Sequence, residues 1–223
     1  MIKKKRRAPR PALPVPPARL DVAPNVLLWE AGRPLHRVYP EKFSAMEFNP
    51  GRGRTSRFAP IHTAKGAVIP TCYAGSTREC AFHERIFHDV PIDAQFRSIA
   101  IDEIGGLACA QLKCSRPLRL AQFFEPDLRR WGLTRRQLID TSTRQYGRTA
   151  LWAQAVHRDF SDIDGLVWTS RVCDPELSAL LFGDRVDGKM LEVMEQPRLI
   201  ELDAQLLGEL DRCAQRAGIY IVR

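Results

Sequence analysis

Long apolar runs are missing from this chain. No window approaches the roughly 18 to 20 consecutive apolar residues that cross a bilayer. The basic N-terminus runs into prolines rather than an apolar stretch, so a secretory signal is not expected and the reading is cytoplasmic. Also missing are a G-x-G-x-x-G opening a helix, a phosphate-binding P-loop, H-E-x-x-H and G-x-S-x-G. Nothing therefore supports a Rossmann dinucleotide fold, a P-loop nucleotidase, a zinc protease or an α/β-hydrolase. No C-x-x-C occurs, and Cys72, Cys80, Cys109, Cys114, Cys173 and Cys213 are scattered. In a chain without an export signal they read as reduced and mostly core-filling. A zinc quartet of Cys72, Cys80, His83 and His88 would need His83 and His88 on one side of a helix. Their spacing of five turns them apart, so no metal is expected.

What is present is an ordinary globular composition, 44% hydrophobic and 27% charged over 223 residues, enough for one large domain. The net charge of +8 is misleading. Lys3, Lys4, Lys5, Arg6, Arg7, Arg10 and Arg19 all precede the first acid, Asp21, and leave the rest nearly neutral. Residues 1–24, with prolines at 9, 11, 14, 16, 17 and 24, read as a disordered, solvated, extended tail. Its charges are not interleaved with aromatics, so only weak contacts to polyanions are expected of it. A nucleic-acid- or partner-binding protein acting through this tail is the alternative from another functional class.

The folded body, residues 25–223, reads as a single domain. "LHRVYP" is taken as the first strand, followed by a Gly/Pro/Arg-rich loop. "AVIPTCYA" reads as a strand, and its proline points to an edge or interrupted one. Ser76-Thr77-Arg78-Glu79 matches a capping box and starts a helix to about His88. Helical patterns follow over Pro126–Ile139 and from Thr141 through Phe160, then a buried strand in "DGLVWTSR". "PELSALLFGDRV" reads as a short helix and loop, and "RLIEL" as a strand. A C-terminal helix ends at Gly218 before a last strand, "IYIVR". Strands and helices mix without β-α-β alternation, which predicts α+β, with mixed or antiparallel sheets and flanking helices.

Three features could carry chemistry. Arg52, Arg54 and Arg57 fall in a loop, and arginine forks match phosphate oxygens. Arg57 stands apart because extended structure resumes there. Glu84 shares a helical face with Cys80, Ala81 and Phe87, and a buried carboxylate needs a partner or a job. Ser170 ends a buried strand, where pocket-lining residues sit.

Together "HRVYP", "FNPGRGRTSRF", "PTCYAGSTRECAFHERIFHDV", "YGRTALWAQAVH" and "DGLVWTSR" resemble the RES domain, the toxin half of many bacterial toxin–antitoxin pairs. The resemblance spans roughly Leu35 to Val186. It implies an ADP-ribosyltransferase-like fold and a type II toxin that consumes NAD as substrate. The nicotinamide–ribose bond would be cut by phosphorolysis or hydrolysis, with inorganic phosphate or water as acceptor. The alternative within the family is mono-ADP-ribosylation of a protein. By motif, Arg37 and Arg57 match the family's arginines and would hold phosphates. Tyr73 would stack on nicotinamide, and Glu84 would be the catalytic carboxylate. Ser170 would hydrogen-bond the nicotinamide ribose or amide. The implied partner is an Xre-type helix-turn-helix antitoxin, with a homodimer inside the toxin–antitoxin complex.

Overall fold

The computed structural model describes residues 12–223. In chain order its strands are β1 (Val26–Trp29), β2 (Leu35–Pro40), β3 (Ile61–His62), β4 (Val68–Ile69), β5 (Thr71–Gly75) and β6 (Ser98–Ala100). They continue as β7 (Leu107–Cys114), β8 (Leu118–Gln122), β9 (Gly165–Thr169), β10 (Leu177–Phe182), β11 (Leu191–Leu199) and β12 (Tyr220–Val222). The helices are α1 (Arg78–Phe82), α2 (Glu125–Leu128), α3 (Arg135–Leu138), α4 (Tyr146–Asp159) and α5 (Ala204–Arg216). An eight-stranded sheet of order β1-β8-β9-β10-β5-β2-β7-β11 forms the centre. Only β8 and β9 pair in parallel within it; the other pairs are antiparallel. The α+β class read from the sequence is the observed one.

Side chains alternate across this sheet, as the period of two requires, and so build separate cores. One face packs Trp168, Leu166, Leu180 and Phe182 against Trp152, Ala153 and Val156 of α4. On the same face Val38 and Cys109 meet Ala81 and Phe82 of α1 and Leu206 and Leu210 of α5. The other face carries Leu35, Tyr39, Cys72, Ala74, Val167, Ala179 and Leu181 under Phe43, Ala45, Met46 and Phe48.

Pro70 separates β4 from β5, as its missing N–H predicts. Yet β5 is not an edge: it lies between β10 and β2. The larger correction is "PELSALLFGDRV", which forms β10 rather than a helix. Its leucines suit either element, and pairing with both β9 and β5 decides the matter, tertiary context overriding propensity. β1, which the pattern does not mark as a strand, pairs with β8 at the sheet edge.

The tail is corrected in part. Residues 12–24 are extended, but they are a strap packed along α4 rather than a solvated segment. Leu13 and Leu20 are buried in the α4 core. The Trp152 indole donates to the Pro14 carbonyl (2.8 Å), the Trp131 indole to Val22 (2.9 Å), and Leu20 N–H to Asp159 (2.8 Å). Prolines suit such a strap, since they hold the chain extended and leave carbonyls free to accept. The basic residues Lys3 to Arg10, for which weak polyanion contacts are expected, lie outside the described residues. Among the described residues no helix is long and apolar enough to cross a membrane.

Candidate functional site

The helix bearing Glu84 starts at Thr77, whose hydroxyl accepts from Cys80 N–H (3.2 Å). The capping box read at Ser76 is not formed. Ser76 instead donates to Glu176 (2.5 Å) and accepts from Leu177 N–H (2.9 Å), tying the end of β5 to β10. Glu79 pairs with Arg216 (2.8 Å). Gly75 lets the strand enter this close packing, because a Cβ there would meet Ala81 N at 2.9 Å and Cys80 Cβ at 3.0 Å. After Phe82 the helix widens into a π-helical turn over His83–Phe87, a feature frequent at functional sites. His83 and Phe87 are buried, whereas Glu84 is half-buried.

Glu84 meets hydroxyls, not a cation. Ser170 donates to Oε1 at 2.6 Å and Ser178 donates to the same oxygen at 3.2 Å. Among the described residues Oε2 accepts no hydrogen bond, and no Lys, Arg or His nitrogen lies within 4.0 Å of the carboxylate. Ser170 is fully committed: fully buried, its oxygen also accepts from Val172 N–H (3.2 Å) and Cys173 N–H (3.0 Å). With both lone pairs used, its single proton is directed at Glu84. Arg135 fixes the backbone beneath, donating to the carbonyls of Thr169 (3.0 Å) and Ser170 (3.2 Å).

Arg57 is buried beside this carboxylate. Its Nη1 donates to the Ile139 carbonyl and to Thr141 Oγ1 (3.0 Å), and its guanidinium lies 5.3 Å from the Tyr146 ring centroid. Nε and Nη2 make no hydrogen bond to the described residues. Burial pushes its pKa down, while Tyr146 and Glu84 push it back up. Tyr73 holds the Arg57 loop. Its hydroxyl accepts from Phe58 N–H (2.9 Å) and hydrogen-bonds Ser56 Oγ (3.0 Å), and its ring meets Trp168 edge-on. Burial pushes its pKa up to about 12, so the phenol is neutral at any physiological pH. Arg171, next to Ser170, spans from the Thr141 carbonyl (3.3 Å) to the His88 carbonyl (3.1 Å) at the end of the Glu84 helix.

Arg37 is not part of this cluster, contrary to the sequence expectation. It shares its strand face with Leu35 and Tyr39, so it points to the opposite side of the sheet from Tyr73. There it donates to the Ala45 carbonyl (2.5 Å), with the Tyr39 ring centroid 5.2 Å away. Glu84, Arg57, Tyr73 and Ser170 do come together. Sequence reasoning missed Ser178, Thr141, Tyr146 and Arg171. Ser178 was hidden by the helical reading of its segment, while Arg171 stood in the quoted motif unremarked.

The six cysteines are all free and buried, as the composition suggests. The zinc quartet considered above is not gathered, since Cys72 lies on the far face of the sheet. Ligand atoms of Glu79, His83 and Cys173 do fall within 4.8 Å of one another, but Glu79 is already occupied by Arg216. A surface groove of about 650 Å³ adjoins Ser170 and Arg171 and is lined further by Phe124, Arg135, Asp140 and Asp174; Glu84 is not on it.

The fold has a solved counterpart. A chain of the M. tuberculosis MbcT–MbcA toxin–antitoxin complex superposes with a TM-score of 0.57 at 12% identity, covering 84% of this chain and 92% of that one. None of the curated proteins compared with it matches the chain. The RES domain model matches residues 27–202, which takes in the large sheet except for Val26, the first residue of β1, and the whole Glu84 cluster. The chain belongs to the RES domain family.

Proposed function

We propose that the protein is an NAD-consuming toxin of a toxin–antitoxin pair that cleaves the nicotinamide–ribose bond. The observation that carries this reading is the state of Glu84. A half-buried carboxylate is held through one oxygen by two serine hydroxyls, has no cation within salt-bridge range, and has its second oxygen free. That arrangement suits a developing positive charge. Nicotinamide departs with the bonding electron pair and becomes neutral, leaving an oxocarbenium-like ribose. A fixed, pre-oriented carboxylate stabilises such a cation electrostatically without reorganising. The acceptor oxygen, from phosphate or water, then bonds to the anomeric carbon and gives up a proton.

Within this reading Ser170 acts through Glu84 rather than on the sugar, because its hydroxyl has nothing left to offer a ligand. Tyr73 sets the Arg57 loop, since its hydroxyl is bound to that loop. Arg57 keeps Nε and Nη2 free of hydrogen bonds to the described residues. An Xre-type antitoxin as partner, and action in the cytoplasm, belong to the same proposal. The counterpart solved as a toxin–antitoxin complex supports the partner.

The test is incubation of the purified chain with NAD, with and without inorganic phosphate, and identification of products by mass. Nicotinamide with ADP-ribose 1″-phosphate indicates phosphorolysis, and nicotinamide with ADP-ribose indicates hydrolysis. Release of no nicotinamide under either condition overturns the proposal.

A further inference from the structure

A buried histidine on the Glu84 helix is left without a hydrogen bond. His83 is only 5% exposed, yet neither of its ring nitrogens has a hydrogen-bond partner among the described residues. Glu79 Oε1 stands 3.9 Å from Nε2, too far to accept. Buried polar atoms ordinarily find a partner, and an exception calls for an explanation. The Phe87 ring packs edge-on against the imidazole, with the centroids 5.2 Å apart, and so limits how the imidazole can turn.

The side chains around His83 are of the types that ligate a borderline divalent cation. Glu79 lies four residues earlier, on the same side of the helix, and Cys173 approaches from the turn after β9. One oxygen of Glu79, one nitrogen of His83 and the sulfur of Cys173 all lie within 4.8 Å of one another. A tetrahedral zinc ion holds such atoms about 3.4–3.6 Å apart. The Glu79–His83 pair at 3.9 Å is therefore within about 0.5 Å of that spacing, and the short Cys173 side chain has the remainder to close. Glu79 also pairs with Arg216, but the Arg216 side chain is 69% exposed, and an exposed ion pair is weak enough to yield to a dication. His83 and Cys173 are buried while Glu79 is half-exposed, so an ion can enter from the Glu79 side. Cys80 is spent on the Leu177 carbonyl (3.4 Å) and Ser178 (3.6 Å) and is not needed as a ligand.

We infer that Glu79, His83 and Cys173 form a zinc site, with the fourth position left to water. Of the quartet weighed from the sequence only His83 takes part. On binding, the Cys173 sulfur bonds to zinc and its proton leaves to solvent. The site does not rest on the proposed reaction. Its consequence is mechanical: Cys173 N–H donates to Ser170 Oγ (3.0 Å), and His83 directly precedes Glu84. Zinc would fasten the turn that orients Ser170 to the helix that carries Glu84, and would stabilise the folded chain by mass action.

The experiment uses the full chain without a histidine tag, kept reduced by a phosphine. Zn²⁺ binding is measured by competition with a chromophoric chelator, and Co²⁺ is substituted to identify the ligands. Wild type is expected to take one Zn²⁺ per chain and to melt at a higher temperature with zinc than with EDTA. With Co²⁺ it should show a sulfur-to-metal charge-transfer band, which Cys173→Ser should abolish. Cys173→Ser, His83→Gln and Glu79→Gln should each weaken zinc binding at least tenfold. Arg216→Ala should bind zinc more tightly, because it removes the competing cation. His157→Gln, on α4 and paired with Asp184, should stay within twofold of wild type. Melting curves without zinc identify any buried-site variant that has merely unfolded, and Glu79→Gln and Arg216→Ala, nearer the surface, remain as the decisive comparisons. Wild type binding no zinc, a Co²⁺ band that survives Cys173→Ser, or Glu79→Gln binding zinc like wild type overturns the inference. So does Arg216→Ala binding zinc more weakly than wild type, or loss of zinc binding in a folded His157→Gln.

Discussion

The two faces of the central sheet differ in how their charged side chains are grouped. On the face under residues 43–48, Arg37 donates Nη1 to the Ala45 carbonyl with the Tyr39 ring near it, beside a core of Leu35, Cys72, Ala110 and Leu181, and bonds no hydroxyl or carboxylate among the described residues. On the α4 face, Glu84, Arg57 and Arg171 each commit one part of the charged group to the protein and leave another part free. A set of charged groups gathered together and each anchored at one edge is pre-positioned for a ligand, because the anchors remove rotamer freedom while the open atoms keep their binding capacity.

That contrast can be broken experimentally. The largest effect is expected from Glu84→Gln, which keeps shape and hydrogen bonding but removes the charge. Nicotinamide release should fall by roughly 100- to 1000-fold, in line with removal of one transition-state electrostatic contact, while the melting temperature stays near wild type. Ser170→Ala should reduce kcat more than Ser178→Ala. Its bond to Oε1 is shorter (2.6 against 3.2 Å), and its loss also frees the turn at Val172 and Cys173. If the two variants behave alike, Ser170 is not the dominant positioning group.

The strap sharpens the comparison in stability rather than rate. Leu13→Ala is expected to cost about 2–5 kcal/mol, as for other buried leucines, and to lower the melting temperature by about 2–4 °C for each kcal/mol. Deletion of residues 1–24 should likewise lower the melting temperature, because it removes Leu13 and Leu20 from the core. A tail-binding function must therefore be tested by neutralising Lys3, Lys4, Lys5, Arg6, Arg7 and Arg10 rather than by deleting residues 1–24, since the deletion removes part of the α4 core.

Smaller still are the pH effects. Tyr73 has a folded pKa of about 12 against about 10 in an unfolded chain. The folded state thus holds its proton where the unfolded state has lost it. The resulting stabilisation is complete below pH 10 and disappears as pH rises from 10 toward 12, a decline that Tyr73→Phe should lessen. His36, His83, His88 and His157 all have pKa values lowered by burial from 6.5. Their contribution is present above pH 6.5 and is lost as pH falls below it, measurable as a falling melting temperature on that limb.

The candidate site was legible to different depths. Glu84 stood out because a carboxylate among Cys80, Ala81 and Phe87 breaks a local rule, and such breaks collect at functional sites. Arg57 and Ser170 were readable from their positions at the resumption and end of extended segments. Arg37 was read wrongly because a motif gives order along the chain, and only the pleat says which face a strand residue joins. Ser178 was lost with β10, since a leucine-rich segment of that length is a strand only once β5 and β9 lie on either side of it.

By itself, then, the sequence determined what depends on neighbours along the chain. It marked the break at Pro70, the helix carrying Glu84, the C-terminal helix and strand, the α+β class and the free, buried cysteines. These follow from backbone chemistry and local period, which act over a few residues. The tertiary structure decided the rest. It put Arg37 and Arg57 on opposite sides of the sheet, drew Leu13 and Leu20 into the core, and brought Ser170 and Ser178 onto one oxygen of Glu84. Those outcomes depend on strand order and register, which join residues nearly a hundred positions apart, and no local pattern encodes them.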